Sequence, residues 1–333
     1  MAEIVLGLGS SHAPQLALPP DEWWRRAEHD RHSSELWYRG EVMTFAQVAD
    51  ARAGEHFERE LTPETFERRF AACQQAIRAL AETLERVAPD VAVIVGDDQH
   101  ECFLDDNMPS IAIYAGDTVD SVPLGPDSGE YAAAPPALSR YPQVRTANAC
   151  APALSQHLVD ALVEEGFDLT YSRRLPAGKH GQHGIGHAFS YVYRRLMNDR
   201  VIPNVPVFLN TYFPPNQPTP RRCYELGRAL RRAIAAWDGG QRVALIASGG
   251  LTHFVIEEDV DRRILDAFAA RDEDGVVGLP LAWFNSGNSE IRNWMVVAGA
   301  LADDDLGMEV VDYVPCYRSE AGTGCAMAFA RWQ

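Results

Sequence analysis

The sequence predicts an α/β fold, a single domain with a mostly parallel or mixed central sheet flanked by helices and with its active site at the carboxyl ends of the strands. Short runs rich in Val, Ile and Ala are typical of strands buried on both faces. Segments with helical periodicity alternate with these runs. No linker divides the 333 residues. We therefore expect one domain, 1–333, with an inserted excursion of helices and loops at about 19–60.

Local patterns predict the individual elements. The first strand is EIVLGLG at 3–9. A long helix begins at Thr62, a capping residue followed by Pro63, and carries an apolar residue every three or four positions up to Pro89. The later predicted elements, in chain order, are strands at 91–96 and 111–115, a surface loop at 116–147, a helix at 152–165, a strand at 167–175, a helix after the loop at 178–187, a strand at 205–215, a helix at 221–237, a strand at 242–248, a helix at 290–301, and strands at 308–317 and 325–332.

Composition excludes several classes of partner. Lys plus Arg total 30 against 47 for Asp plus Glu, a formal net charge of −17. Such a surface repels phosphate backbones and anionic lipid, so we expect no nucleic acid and no membrane partner. The six cysteines show no CxxC pair, which favours reduced thiols and a cytoplasmic location. The N-terminus lacks the pattern of a secretion signal.

Three histidines follow predicted strands. His12, His100 and His253 each come shortly after an apolar run, and the carboxyl ends of parallel strands meet at one edge of a sheet. Imidazole is a common ligand for iron, zinc and copper, and an iron(II) oxygenase site needs two histidines and one carboxylate. Glu290 is the candidate carboxylate, in the first turn of an apolar helix. A helix-terminal acid that complements the helix dipole explains Glu290 equally well, and a structural role is open for each histidine.

Five separated motifs together resemble one family. They are GLGSSHAP, VIVGDDQHECF, GQHGIGH, ASGGLTHF and NSEIRNWMVVAGAL. In order and approximate spacing the chain resembles, from residue 3 to about 330, the class III extradiol ring-cleavage dioxygenases of the protocatechuate 4,5-dioxygenase β-subunit type, which include enzymes acting on gallate and 3-O-methylgallate. The resemblance implies that His12, His100 and Glu290 bind non-haem Fe(II), that His253 is the catalytic histidine, and that His183 is a second catalytic histidine.

Residues near these motifs receive supporting roles. Asp98 is expected to orient His100, or else to be a solvated loop acid. His187, which with His180 flanks His183, is expected to lie beside the site or simply to cap or pack its helix. Three further residues are expected to contact the substrate. Thr252 would present a hydroxyl to the pocket. Arg318 and Thr323 belong to a C-terminal loop that either supplies groups to the substrate or forms a tight turn between two strands.

The resemblance implies a reaction and its partners. The expected substrates are a small aromatic diol, carboxylated as in protocatechuate, gallate or 3-O-methylgallate, and O2. A zinc enzyme on the same scaffold and a non-catalytic subunit of a dioxygenase are the alternatives. We expect a homodimer or higher homo-oligomer, in which the 19–60 excursion closes the pocket, contacts a second subunit or packs on its own chain.

Overall fold

The fold is a large mixed sheet between two layers of helices. The computed structural model describes residues 1–125, 134–179 and 181–333. Its strands are β1 Glu3–Ser10, β2 Leu36–Tyr38, β3 Glu41–Met43, β4 Val91–Asp97, β5 Ile111–Tyr114, β6 Thr118–Ser121, β7 Thr146–Ala149, β8 Thr170–Ser172, β9 Asn204–Leu209, β10 Arg242–Ser248, β11 His253–Val255, β12 Met308–Tyr317 and β13 Thr323–Trp332. Its α-helices are α1 Trp23–Arg31, α2 Phe45–Ala51, α3 Pro63–Val87, α4 Pro152–Glu164, α5 His187–Tyr191, α6 Pro220–Ala236, α7 Glu258–Ala270, α8 Glu273–Val277 and α9 Ile291–Leu301.

Parallel strands form the centre of the sheet. Within the described ranges, the order is β11-β13-β1-β10-β4-β9-β5-β8, with β12 on β13. The neighbours β1, β10, β4 and β9 run parallel, whereas β13 and β5 are antiparallel to their central neighbours. The last residues of β1, β4 and β10, which are Ser10, Asp97 and Ser248, therefore lie at one edge of the sheet. This arrangement confirms the predicted mixed α/β fold.

Two apolar layers hold the sheet between helices. One layer joins side chains of α4, α6, α7 and α9 to the sheet, and the other joins α3 and α5 to its opposite face. Strand β4 is buried along its whole length, as its run of Val and Ile predicts. Helix α3 begins as predicted, because the Thr62 hydroxyl accepts a hydrogen bond from the backbone N–H of Thr65 and Pro63 occupies the first turn. No helix in the part of the chain that the structure describes is long and apolar enough to cross a membrane.

The 19–60 excursion has more regular structure than the sequence predicts. It contains α1, the β2–β3 hairpin and α2, with short 3₁₀ turns before α1 and after α2. Trp23 is fully buried and packs on Phe66 of α3, with ring centroids 5.2 Å apart. Trp24 is 60% exposed. The excursion thus packs on its own chain through one face of α1.

The segment predicted as a surface loop at 116–147 also differs. It contributes β6 and the start of β7, which pair with each other in an antiparallel hairpin. The residues at 126–133 lie outside the described ranges. The sequence missed the hairpin because strands of four residues give too short a pattern to distinguish from a loop.

Candidate metal centre

Four buried side chains converge at the carboxyl edge of the sheet. His12 lies two residues beyond β1, and Asp97 ends β4. His187 begins α5, and Glu290 directly precedes α9. One donor atom from each of these residues lies within 4.8 Å of all the others. Their separation in the chain shows that the sheet edge and two helix starts build the cluster together.

The hydrogen bonds of His12 fix its proton. The Ser248 hydroxyl donates to the Ala188 carbonyl at 2.7 Å. Because a hydroxyl has one hydrogen, Ser248 must accept from His12 Nδ1, which lies 2.9 Å from its oxygen. A neutral His12 therefore carries its hydrogen on Nδ1 and directs the lone pair of Nε2 into the cluster.

His187 is arranged in the same way. Its Nδ1 lies 2.7 Å from Glu101 Oε2, and its backbone N–H donates to Glu101 Oε1 at 3.0 Å. Burial opposes the charge on Glu101, but electrostatic attraction to His187, together with hydrogen bonds from His187 and Tyr141, holds the pKa of that carboxyl below its ordinary value. Since a carboxylate only accepts hydrogen bonds, a neutral His187 carries its hydrogen on Nδ1 and has a free lone pair on Nε2.

Two imidazole lone pairs thus face each other. The Nε2 atoms of His12 and His187 are 3.0 Å apart, where two unprotonated nitrogens repel unless a proton or a cation lies beside both. Nitrogens bonded at about 2.1 Å to one metal ion, at a right angle, are separated by about 3.0 Å. The pair therefore fits two neighbouring ligands of one metal ion.

Two carboxylates complete the donor set. Glu290 Oε2 lies 3.3 Å from His12 Nε2 and accepts the backbone N–H of Gly250 at 2.6 Å. The oxygens of Asp97 lie 3.9 Å from His12 Nε2 and 3.8 Å from His187 Nε2. Burial raises the pKa of Asp97 to about 7, and the charge of Glu290 acts in the same direction. A bound cation would relieve this repulsion, and mixed nitrogen and oxygen donors suit iron, zinc and related metals.

His253 stands beside the cluster and lines the cavity above it. It begins β11, is 5% exposed, and its Nδ1 lies 2.8 Å from the Leu251 carbonyl oxygen. A carbonyl only accepts, so Nδ1 donates and Nε2, 3.5 Å from Glu290 Oε1, is the atom that gains or loses a proton. Burial lowers the pKa of His253, but the charge of Glu290 outweighs it and raises the value to about 9.

A cavity of ≈ 270 Å³ opens above these groups, with both histidine ligand candidates, His253 and Glu290 in its wall. Three cationic side chains line the same cavity. Arg26 comes from α1, and Arg140 is 8% exposed and donates to the His12 carbonyl at 3.0 Å. Lys179 donates to the Gln99 carbonyl at 2.8 Å. The cavity therefore combines an acidic, imidazole-lined floor with basic side chains.

Comparison with known proteins identifies the family of this chain. The family model of the catalytic LigB subunit of aromatic ring-opening dioxygenase matches residues 59–325. The chain belongs to this family. The matched range contains three members of the cluster and also His253, whereas His12 precedes it.

Curated relatives carry related names. The chain is 31% identical over 163 residues to a gallate dioxygenase of Pseudomonas putida, covering 45% of this chain and 45% of the relative. It is 29% identical over 182 residues to a 2,3-dihydroxyphenylpropionate/2,3-dihydroxicinnamic acid 1,2-dioxygenase of Comamonas testosteroni, covering 55% and 49%. A protein of that name from Photorhabdus laumondii is 29% identical over 180 residues, covering 54% and 48%. The matches span about half the length of these relatives.

The structure of this LigB-family chain places His100 differently from the sequence prediction. His100 lies outside the four-residue cluster. Its ring stacks on Phe213 with centroids 3.7 Å apart, and its Nε2 lies 3.2 Å from Asp105 Oδ1. The backbone at His100 is left-handed, with φ 64°. The preceding Gln99 reaches the cluster instead, donating to Glu290 Oε1 at 3.2 Å.

His183 and Asp98 are also placed away from their predicted roles. His183 is exposed on its loop, and its Nδ1 lies 2.9 Å from the Leu175 carbonyl oxygen. His180 lies outside the described residues. Asp98 accepts the backbone N–H groups of Cys102 and Phe103 at 2.8 and 3.0 Å, so it shapes the loop rather than orienting His100. The histidine of this region that reaches the cluster is His187.

The predicted substrate contacts are engaged in packing. The Thr252 hydroxyl donates to Asp261 Oδ2 at 2.7 Å and is fully buried. Arg318 has no exposed side-chain surface and pairs with Asp30 of α1, and Thr323 donates to the same carboxylate at 2.5 Å. These three side chains are therefore not in the cavity wall. No local sequence motif marks the cationic residues that do line the cavity. Asp97 and Glu101 stand inside the VIVGDDQHECF motif, where His100 was the predicted ligand instead.

Proposed function

We propose that this protein is a non-haem Fe(II)-dependent extradiol dioxygenase that opens the ring of a carboxylated catechol with O2. One observation carries the proposal: the lone pairs of His12 and His187 converge with Glu290 on the floor of a cavity that His253 also lines. Membership of a ring-opening dioxygenase family supports the reaction class.

The proposed metal ligands are His12, His187 and Glu290, with Asp97 in reach of the same ion. Two histidines and one carboxylate that leave open positions form the usual ligand set of non-haem iron(II) oxygenases. Bound iron(II) would supply Lewis acidity toward the diol and a redox-active contact between the diol and O2. All four side chains are buried, and His12, His187 and Glu290 line the cavity in which the diol would bind.

His253 is the proposed general base for the catechol hydroxyl. Its Nδ1 hydrogen is committed to the Leu251 carbonyl, so Nε2 is the atom that accepts the substrate proton. Glu290 holds the pKa of His253 at about 9 when no cation is present. A cation on Glu290 removes much of that attraction and repels the imidazolium, so it lowers the pKa of His253 and frees Nε2 to act as a base.

The basic side chains favour an anionic substrate. Arg26, Arg140 and Lys179 line the cavity together with the cluster. A diol bound at the floor would direct a ring carboxylate toward these groups, where charge-assisted hydrogen bonds are strong. The named relatives act on gallate and on 2,3-dihydroxyphenylpropionate, both hydroxylated aromatic acids. This supports a carboxylated catechol over an uncharged one.

The test is anaerobic reconstitution with Fe(II), followed by oxygen uptake and product absorbance across a set of catechols with and without a carboxylate. We expect iron-dependent uptake, highest for the carboxylated diols, with a ring-opened product cut beside the diol. His253→Ala should keep iron and lose most turnover. Full iron loading with no uptake for any diol acid would contradict the proposal. Turnover with zinc and none with iron would favour a zinc enzyme on the same scaffold.

Cellular setting and assembly belong to the same proposal. The six cysteines are free thiols and all are buried, which suits the reducing cytoplasm. We propose one catalytic domain, 1–333, that works as a homodimer or higher homo-oligomer. Light scattering of the purified iron-loaded protein measures the assembly, and a monomer at micromolar concentration would contradict it.

A further inference from the structure

A carboxylate that the reaction above does not use lies behind the cluster. Glu101 is 9% exposed and hydrogen-bonds the side chains of Tyr141 and His187. Its Oε1 accepts a short hydrogen bond from the Tyr141 hydroxyl, and the same oxygen accepts the backbone N–H of His187 at 3.0 Å. Its Oε2 accepts His187 Nδ1–H at 2.7 Å. The Glu101 side chain thus hydrogen-bonds both the backbone and the ring of His187.

This double contact restricts His187 in two ways. The backbone N–H at the start of α5 has no partner within the helix, so the carboxylate satisfies it and fixes where α5 begins. The contact at Nδ1 fixes the ring rotation and selects between the two neutral tautomers. Without an acceptor at Nδ1, His187 could carry its hydrogen on Nε2, which would then face His12 Nε2 at 3.0 Å as a donor rather than as a ligand.

Gly186 provides the space that this contact needs. A Cβ atom added at Gly186 would lie 2.5 Å from Glu101 Oε2. The backbone there has φ −69°, which any residue adopts. Alanine at 186 would therefore leave the backbone unstrained and displace the end of the flexible Glu101 side chain. The absence of a side chain at Gly186 therefore allows the Glu101 carboxylate to reach the ring of His187.

We propose that Glu101 is a positioning residue that holds His187 in the Nδ1-protonated tautomer, with Nε2 turned toward the cluster, and that Tyr141 in turn holds Glu101. The inference rests on the proposed metal-binding role of His187. Groups that orient a metal-bound imidazole commonly change metal affinity 10- to 100-fold when they are removed. Of the four cluster residues, Glu101 hydrogen-bonds His187 alone, so its effect on the cluster is exerted through His187.

The experiment measures cobalt(II) affinity by visible absorption and histidine tautomers by ¹⁵N NMR of the metal-free protein. We expect Glu101→Ala to weaken cobalt binding about 10- to 100-fold and to shift His187 toward the Nε2-protonated tautomer. Glu101→Gln, which keeps one acceptor oxygen, should recover part of the affinity, and Tyr141→Phe should cause a smaller loss. The matched control is Asp105→Asn, because Asp105 lies beside the ring of His100 outside the cluster. It should leave both readouts unchanged.

A second variant guards against misfolding. Gly186→Ala keeps the carboxylate but displaces it, and we expect the same direction of change in affinity and tautomer. Unchanged cobalt affinity in Glu101→Ala or Gly186→Ala, with His187 still protonated on Nδ1, would overturn the inference. His187→Ala separates this failure from failure of the proposed function. If the His187→Ala variant loses cobalt binding while Glu101→Ala does not, only the positioning role of Glu101 is wrong. If the His187→Ala variant also binds cobalt normally, the metal-binding role of His187 is wrong.

Discussion

The buried ion pair between Asp30 and Arg318 should govern attachment of the 19–60 excursion to the core. Arg318 Nε and Nη2 donate to the two oxygens of Asp30 at 2.7 and 2.9 Å, and Arg318 Nη1 donates to Gln15 Oε1 at 3.0 Å. Thr323 adds a donor to Asp30 at 2.5 Å. Asp30 is 6% and Arg318 3% exposed. Every charged atom of the pair is thus held away from water with a partner.

Removing one member of this pair leaves the other charge buried and unpaired. Asp30→Ala should therefore reduce the free energy of unfolding by about 3–5 kcal/mol, and Arg318→Met by a similar amount. The double variant removes both charges, so its loss should fall well below the sum of the two, with a coupling of at least about 2 kcal/mol.

Urea unfolding of the metal-free protein, followed by tryptophan fluorescence, measures these free energies. The matched control is Arg31 with Glu320, which joins the same α1 to the same C-terminal loop at 2.8 Å but with side chains 40% and 46% exposed. That cycle should give a coupling of about 0.2–1 kcal/mol. Additive losses for Asp30 and Arg318, or equal couplings in the two cycles, would refute the reasoning.

Three further predictions concern the cluster and the cavity. A divalent metal at 100 times its Kd should raise the free energy of unfolding by about 2.7 kcal/mol, and a chelator should remove this gain. In thermal scans, His100→Ala should keep the metal-dependent stabilisation and His187→Ala should lose it. In the metal-free protein, NMR should show the pKa of His253 near 9, above the ordinary 6.5. The protonated imidazole then stabilises the fold below pH 6.5, and this contribution is lost as the pH rises through 9. A measured pKa below 6.5 would contradict this prediction. Arg26→Ala should raise KM for a carboxylated diol about tenfold and change KM for uncharged catechol little; equal effects on both would exclude a carboxylate contact.

The helices and strands that are set by the local sequence pattern could be predicted from the sequence. The buried run of β4 and the capped, amphipathic α3 follow from residues within each element. The place of His12 at the carboxyl edge of the sheet also follows, because parallel neighbours share the direction of their carboxyl ends. These predictions needed only periodicity and strand direction, whereas the role expected for Glu290 came from the family resemblance.

The residues that the sequence placed differently depend on backbone geometry and distant partners. His100 lies outside the cluster and has a left-handed backbone, a conformation that no local sequence pattern predicts for this histidine. His187 enters it because Glu101, 86 positions earlier, holds its ring. Arg318 is buried because Asp30, 288 positions away, supplies its counter-charge. Such contacts exist only once the chain has folded.

The central claim is that His12, His187 and Glu290 bind one metal ion. A crystal structure of the iron-loaded protein, prepared without air and phased at the iron edge, tests it most directly. We predict one anomalous peak within about 2.0–2.3 Å of His12 Nε2, His187 Nε2 and a Glu290 oxygen. A peak bonded to His100, with His187 beyond bonding distance, would contradict the account.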